Sequence, residues 1–175
     1  AKHKDWFQGT ADAVRSYWGR FATMDVSHYI ILAGDHLYKM DYSEFFKHHL
    51  DSNADVSVAV RPMPVSEAPE LGVLKADPQG SISQFIEKPQ SPALIDQLSE
   101  VVDGKQQVLA SMGIYIFRKD VLEAVLGTEG DDFGKNIIPY SIDNYKTTAF
   151  RFQGYWEDIG SIRTFFEANI ALTEE

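Results

Sequence analysis

The chain has 175 residues with a formal net charge of −10 at pH 7, and 44% of its residues are hydrophobic. This length and apolar content predict a folded body of about one domain and exclude disorder as its main state. The absence of cysteine excludes disulfides, cysteine-ligated zinc, iron–sulfur centres and a cysteine nucleophile, and it favours a reducing, cytoplasmic setting. The acidic balance and the lack of a long apolar stretch predict no nucleic-acid partner, no membrane span and no signal peptide.

Hydrophobic periodicity predicts helices and strands that alternate along the chain. Turn-forming residues between two of the strands, from Asp77 to Gly80, predict a hairpin. In chain order we expect a helix over 11–21, a strand over 29–33, a helix over 43–50 capped by Ser43, a strand over 56–60, hairpin strands over 72–76 and 81–86, a helix over 94–102, a strand over 108–117, helical segments over 121–126 and 133–145, a strand over 147–152 and a helix over 161–172 capped by Ser161.

This order of elements predicts an α/β fold with a mostly parallel mixed sheet flanked by helices. The segment 29–33 is wholly apolar, which is typical of a parallel strand covered on both faces. Ligands of such open sheets gather beyond the carboxyl ends of the strands. Residues that directly follow strands are therefore the first candidates for a functional site.

Several common site motifs are missing from the sequence. No two glycines have the G-x-G spacing of a dinucleotide fingerprint, and the stretch from Gly130 to Asn136 has the wrong glycine spacing and the wrong last residue for a P-loop. No H-E-x-x-H zinc motif and no G-x-S-x-G nucleophile elbow are present. These observations disfavour dinucleotide-dependent, P-loop, zinc-dependent and serine-hydrolase chemistry.

Two carboxylates lie just beyond predicted strands, where ligands of open sheets bind. Asp35 directly follows the apolar strand, and Asp158 lies between the last strand and the closing helix. Two carboxylates together with substrate phosphates are a typical Mg²⁺ site. Asp35 could instead be a turn residue that binds backbone amides, and Asp158 could favour the dipole of the helix that follows it.

Two further segments carry candidate binding groups. Glu87 and Lys88 end the second hairpin strand, so the acid could accept sugar hydroxyls and the base could bind a phosphate, although an ordinary charge pair at a strand end is the alternative. Residues 8–13 begin a helix with small side chains, which would let a flat ring or a phosphate approach the backbone. Plain N-capping by Thr10 is the alternative there.

Several strings in the sequence resemble the sugar-nucleotidyltransferase family, and within it the ADP-glucose pyrophosphorylases. The resemblance covers essentially the whole chain. It rests on WFQGTADAV at 6–14, LAGDHLYKMDY at 32–42, EKP at 87–89, ASMGIY at 110–115, DFGK at 132–135 and YWEDIG at 155–160.

The resemblance implies a nucleotide-diphospho-sugar transferase fold, GT-A-like and Rossmann-like, and a reaction that joins ATP and glucose 1-phosphate into ADP-glucose and pyrophosphate for glycogen or starch synthesis. It implies that Asp35 and Asp158 hold Mg²⁺ and that Lys88 binds the sugar phosphate. Glu87, Ser111 and the Gly72 backbone would bind the glucose. The residues expected to border the adenine are Phe7, Gln8, Gly9, Thr10 and Ala11.

The family's glycine-rich opening loop and its C-terminal β-helix are both missing from residues 1–175. We therefore expect an N-terminally truncated, partial catalytic domain that is inactive alone, taken from a homo- or heterotetrameric parent that is cytoplasmic, or plastidic in a plant. A pyrophosphorylase for another nucleotide or sugar is the alternative within the class. A non-catalytic regulatory subunit that binds a sugar phosphate or an effector is the alternative outside it.

Overall fold

A computed structural model of the chain describes residues 6–102 and 104–173. In these residues none of the helices has the length and apolar character needed to cross a bilayer. The helices are α1 (Thr10–Phe21), α2 (Tyr42–Asp51), α3 (Pro92–Leu98), α4 (Lys119–Leu126), α5 (Ile138–Asn144) and α6 (Ile162–Ala171), with a 3-10 helix at Val65–Glu70 and a π-helical segment at Phe133–Ile137. The strands are β1 (His28–Ile31), β2 (His36–Tyr38), β3 (Val56–Pro64), β4 (Gly72–Ala76), β5 (Ile82–Glu87), β6 (Glu100–Val102), β7 (Lys105–Arg118), β8 (Thr147–Arg151) and β9 (Trp156–Asp158).

The core lies on both faces of the central strands β3 and β7, because successive side chains of a strand point to opposite sides. Val58 of β3 and Phe117 of β7 pack with α1, α4 and α5 on one face. Ala59 and Ile116, their neighbours along the same two strands, pack with Phe45 of α2 on the other face. The sheet therefore separates two apolar layers, as an α/β fold requires.

The α/β fold with a mixed sheet flanked by helices is confirmed, and β7 determines how its strands pair. β7 pairs antiparallel with β1, β3, β4 and β6, and β4 continues antiparallel into β5. The parallel pair among the described strands is β3 with β8. Five of the seven strands of this sheet thus run in one direction, but the insertion of β7 among them makes most neighbouring pairs antiparallel.

Three local expectations were wrong. The first strand ends at Ile31 and pairs antiparallel with β7, and Ile30 is 40% exposed, so this strand is not covered on both faces. The helix expected over 94–102 ends at Leu98, and its last residues form β6 against β7. Asp41 caps α2 in place of Ser43, because its carboxylate accepts the Ser43 N–H at 2.8 Å.

The hairpin of β4 and β5 and the capping of α6 are confirmed. Asp77 Oδ1 accepts the backbone N–H groups of Gln79 and Ser81, at 3.0 and 2.8 Å, and Gly80 supplies a φ of +86°. Ser161 and Thr164 form a reciprocal capping box at the start of α6. The chain therefore uses local turn and cap chemistry at both places.

Strands β2 and β9 form a separate two-stranded ribbon that the sequence did not predict. His36 pairs with Asp158, and Tyr38 pairs with Trp156. The ribbon is joined to the main sheet by side chains, since Trp156 is 2% exposed and packs with Met112 of β7. The pairing of these strands brings the two candidate metal-binding carboxylates, Asp35 and Asp158, close together.

Candidate active site

The ribbon brings Asp35 and Asp158 together although they are far apart in the sequence. Asp35 directly precedes β2, its backbone oxygen accepts the Ile159 N–H at 3.0 Å, and Asp158 is the last residue of β9. Both carboxylates converge on Gly160, where an added methyl group would lie 3.0 Å from Asp158 Oδ1 and 3.5 Å from Asp35 Oδ2. A small residue at position 160 therefore keeps the space between the two carboxylates open.

His36 lies beside this carboxylate pair. Its Nε2 is 3.7 Å from Asp35 Oδ1 and 3.8 Å from Asp158 Oδ2, and its side chain is 11% exposed. Its Nδ1 is 2.8 Å from the backbone oxygen of Met112 in β7. The ring thus spans from the central strand to the two carboxylates.

The Glu87 carboxylate occupies a narrow space between two glycines. A methyl group on Gly72 would lie 2.8 Å from Glu87 Oε2, and one on Gly134 would lie 2.5 Å from the same atom. Gly72 is also the strand partner of Glu87 in the β4–β5 hairpin. Burial, and after it the nearby Asp132 carboxylate, raises the pKa of Glu87 above its ordinary value. The carboxyl group is therefore held in a fixed, partly desolvated position.

Lys88 follows Glu87 with a strained backbone and an exposed side chain. Its φ of +50° lies in the left-handed region that non-glycine residues rarely adopt, a conformation that costs about 1 kcal/mol. The conformation turns the chain out of β5 while the Lys88 N–H still bonds to the Leu71 oxygen at 3.0 Å. Strain of this kind at a charged residue is typical of a functional site.

Most of the residues predicted from the sequence line one cavity of about 330 Å³. The cavity is lined by the two carboxylates of the ribbon, by Glu87 and Lys88, and by the buried Ser111 of β7. A second cavity of about 660 Å³ shares Asp35, Lys88 and Asp158 with it. The predicted residues that line the first cavity are Thr10, Asp35, Gly72, Glu87, Lys88, Ser111 and Asp158.

The segment expected to border a nucleotide ring contributes only Thr10 to this cavity. The N–H groups of Ala11 and Asp12, at the start of α1, both donate to the Asp131 backbone oxygen, at 2.9 and 3.0 Å, and are already occupied. Ala11 is fully buried, and a methyl group on Gly9 would collide with that same oxygen. Phe7 and Gln8 are exposed and do not line the cavity.

Thr10 is not the N-cap of α1, which was the alternative interpretation. Gly9 occupies the capping position. The Thr10 hydroxyl instead accepts the Phe133 N–H at 3.0 Å and lies 3.3 Å from Asp132 Oδ2. This residue therefore joins α1 to the π-helical segment that begins at Phe133.

Several cavity residues were not assigned from the sequence, although most lie in strings that carried the resemblance. Tyr115 is 6% exposed, and burial raises its pKa to about 12, so it stays a neutral phenol. Asp132 caps the π-helical segment by accepting the Lys135 N–H at 2.9 Å. The cavity residues that were missed include His36, Glu70, Tyr115, Asp132, Phe133 and Trp156.

The fold is α/β, and a carboxylate pair, a lysine and a buried serine line one cavity of about 330 Å³. The family model for nucleotidyl transferases matches residues 1–175. The chain therefore belongs to the nucleotidyl transferase family.

Enzymes of this family commonly use Mg²⁺, and the carboxylate pair fits that ion. Asp35 is 68% exposed and Asp158 is 46% exposed in their side chains, so their oxygens are accessible from the cavity. Within residues 6–102 and 104–173, no three His, Asp or Glu side chains form a complete metal cage. Mg²⁺ is normally held by one or two carboxylates plus substrate phosphates and waters, so a two-carboxylate site suits it.

Proposed function

We propose that this chain binds glucose 1-phosphate in the smaller cavity and takes part in the transfer of an adenylyl group from ATP to that sugar phosphate. The products would be ADP-glucose, a glucosyl donor for glycogen or starch, and pyrophosphate. Membership of the nucleotidyl transferase family supports the reaction class. The observation that carries the proposal is the convergence of Lys88, Glu87 and the Asp35–Asp158 pair on one cavity.

The proposed sugar site assigns one chemical group to each part of the ligand. The Lys88 ammonium would bind the phosphate as a point charge. Glu87, held between its two glycines, would accept hydroxyl hydrogens of the glucose, and the buried Ser111 hydroxyl lies in the same cavity. A rigid acceptor favours one ring orientation, because a misplaced hydroxyl would leave a partly buried carboxylate without a partner.

The proposed reaction requires no covalent intermediate on the protein. A phosphate oxygen of glucose 1-phosphate attacks the α-phosphorus of ATP in line and forms a new P–O bond. The bond between the α-phosphorus and the oxygen that bridges it to the β-phosphorus breaks, and pyrophosphate leaves. Asp35 and Asp158 would hold Mg²⁺, which when bound neutralises charge on the phosphates. The protein's contribution is then to hold both phosphates beside the carboxylate pair in a fixed orientation.

Calorimetric titration with glucose 1-phosphate tests the sugar site directly. We expect binding of glucose 1-phosphate, weaker binding of glucose and of inorganic phosphate alone, and loss of the phosphate contribution in Lys88→Ala. Lys75→Ala is the matched control, because Lys75 lies on the same hairpin but bonds to the Gln97 backbone oxygen outside the cavity. Equal affinity for glucose 1-phosphate in the wild type and in Lys88→Ala would contradict the assignment.

A turnover assay with ATP, Mg²⁺ and glucose 1-phosphate tests the reaction in the full-length protein. Formation of ADP-glucose supports adenylyl transfer, whereas formation of a sugar nucleotide only from another nucleoside triphosphate or another sugar phosphate would overturn the ADP-glucose specificity. Sugar-phosphate binding without turnover of any pair would favour the regulatory-subunit alternative.

A further inference from the structure

The ribbon of β2 and β9 needs attachment to the main sheet if it is to hold two carboxylates in place. A two-stranded ribbon is only marginally stable by itself. Its attachments include the buried Trp156 ring, the packing of Tyr38 against the core, a hydrogen bond from Arg61 to the Trp156 backbone oxygen at 2.7 Å, and the contact of His36 with Met112. His36 is the attachment that also lies next to both carboxylates.

The hydrogen-bond pattern of His36 determines which end of its ring faces the carboxylates. The Met112 oxygen can only accept, so at 2.8 Å the His36 Nδ1 must carry the hydrogen. The Trp156 Nε1 lies 3.3 Å from the same nitrogen and, as a second donor, cannot bond to an Nδ1 that is already protonated. Nε2 is then the ring nitrogen on the side of the two carboxylates.

The packing around the ring leaves it little freedom to turn. His36 stands edge-on to Trp156, with ring centroids 5.3 Å apart and an interplanar angle of 89°. Behind it, Gly113 has a φ of +66°, and a methyl group there would lie 3.2 Å from His36 Cε1. β7 therefore has a glycine where the imidazole approaches its backbone.

We propose that His36 is a positioning residue that fixes the Asp35–Asp158 pair on β7. The inference rests on the proposed function, because it takes the two carboxylates as the metal site. Groups next to metal ligands that orient them typically contribute 10- to 100-fold to metal affinity. Their removal therefore changes metal binding even when the fold is intact.

The test is the affinity for Mn²⁺, followed by the electron paramagnetic resonance signal of the free ion. His36→Phe keeps a ring against Trp156 but lacks both nitrogens, and we expect it to bind Mn²⁺ about 10- to 100-fold more weakly. His36→Gln places a polar group near the Nε2 position and should recover part of the affinity. His36→Asn can still bond to Met112 but does not reach the carboxylates, so it should stay weak. His28→Gln, a change at a half-buried histidine outside the cavity, is the matched control and should bind like the wild type.

The outcomes distinguish this inference from the proposed function. Wild-type Mn²⁺ affinity in both His36→Phe and His36→Asn would overturn the positioning role. If Asp35→Asn nevertheless loses Mn²⁺ affinity, the proposal of a metal site at the two carboxylates still stands. If His36→Phe does not fold, His36→Asn against His36→Gln decides the question, and equal affinity in these two variants counts against the role. Failure of the wild-type protein to bind Mn²⁺, both without and with glucose 1-phosphate present, would overturn both the metal site and the inference.

Discussion

Protonation of His49 should weaken the fold between pH 7 and pH 5. His49 lies on α2 and is 1% exposed, with its Nδ1 2.8 Å from the Ser57 hydroxyl. Its Nε2 is buried and has no hydrogen-bond partner among the described residues. Burial, and after it the nearby His28 and His48, lowers the pKa of His49 from 6.5 to about 4. A protonated ring carries a hydrogen on each nitrogen, and the buried N–H at Nε2 would have no acceptor.

The direction of the effect follows from proton linkage. The pKa of His49 is lower in the folded protein than in the unfolded chain, so between pH 4 and pH 6.5 the unfolded chain binds more protons. The stabilising contribution is complete at neutral pH and is lost as the pH falls through this window. With about 1.4 kcal/mol for each pKa unit, the total effect is about 3 kcal/mol, of which about 2 kcal/mol is lost between pH 7 and pH 5.

Urea unfolding of the wild type and of His49→Gln at pH 7 and pH 5 measures this contribution. The wild type should lose about 2 kcal/mol more unfolding free energy than the variant over this range. Other titrating groups, including the half-buried Glu87, act in both proteins and cancel in the difference. Parallel stability curves would refute the reasoning, and so would an NMR titration of the His49 imidazole in the folded wild type with a midpoint near 6.5.

Four further predictions concern the candidate active site. Asp35→Asn or Asp158→Asn should reduce turnover of the full-length protein at least about 100-fold, and near-normal kcat with Mg²⁺ in either variant would contradict the two-carboxylate site. Lys88→Ala should raise the KM for glucose 1-phosphate about 10- to 100-fold and leave the KM for ATP nearly unchanged; a rise in the ATP KM alone would place Lys88 at the triphosphate instead. Lys88→Gly should lose the same binding. Its unfolding free energy, measured in urea, should be about 1 kcal/mol higher than that of Lys88→Ala, because glycine adopts a positive φ without strain. Gly134→Ala should displace the Glu87 carboxylate and weaken glucose 1-phosphate binding about tenfold, which calorimetry would detect, whereas unchanged affinity would show that the carboxylate's position is not needed.

The candidate site was predicted in part because its residues follow strand ends. Asp35 follows a wholly apolar predicted strand and Lys88 ends the second strand of the predicted hairpin, and ligands of open α/β sheets bind beyond strand ends. The structure brings both into one cavity together with Asp158, Glu87 and Ser111. It does not bring Gly9 or Ala11 there, because the first turn of α1 bonds to the Asp131 backbone oxygen, a partner that residues 8–13 alone could not reveal.

The sequence by itself determined the features that depend on neighbouring residues. Asp77 to Gly80 supply the turn of the hairpin, Ser161 caps α6, and the apolar run of β3 forms a buried strand. Each of these follows from the conformational preferences and hydrogen bonds of a few adjacent residues. They form in the structure as predicted.

Only the tertiary structure decided the features that need partners distant in the chain. The segment 100–102 becomes a strand because β7 offers it an edge, which overrides its helical pattern. The ribbon pairs His36 with Asp158, and the Glu87 carboxylate is fixed between Gly72 and Gly134. These contacts join residues that are far apart in the sequence, and they depend on the topology of the whole sheet. No local pattern in the sequence therefore encodes them.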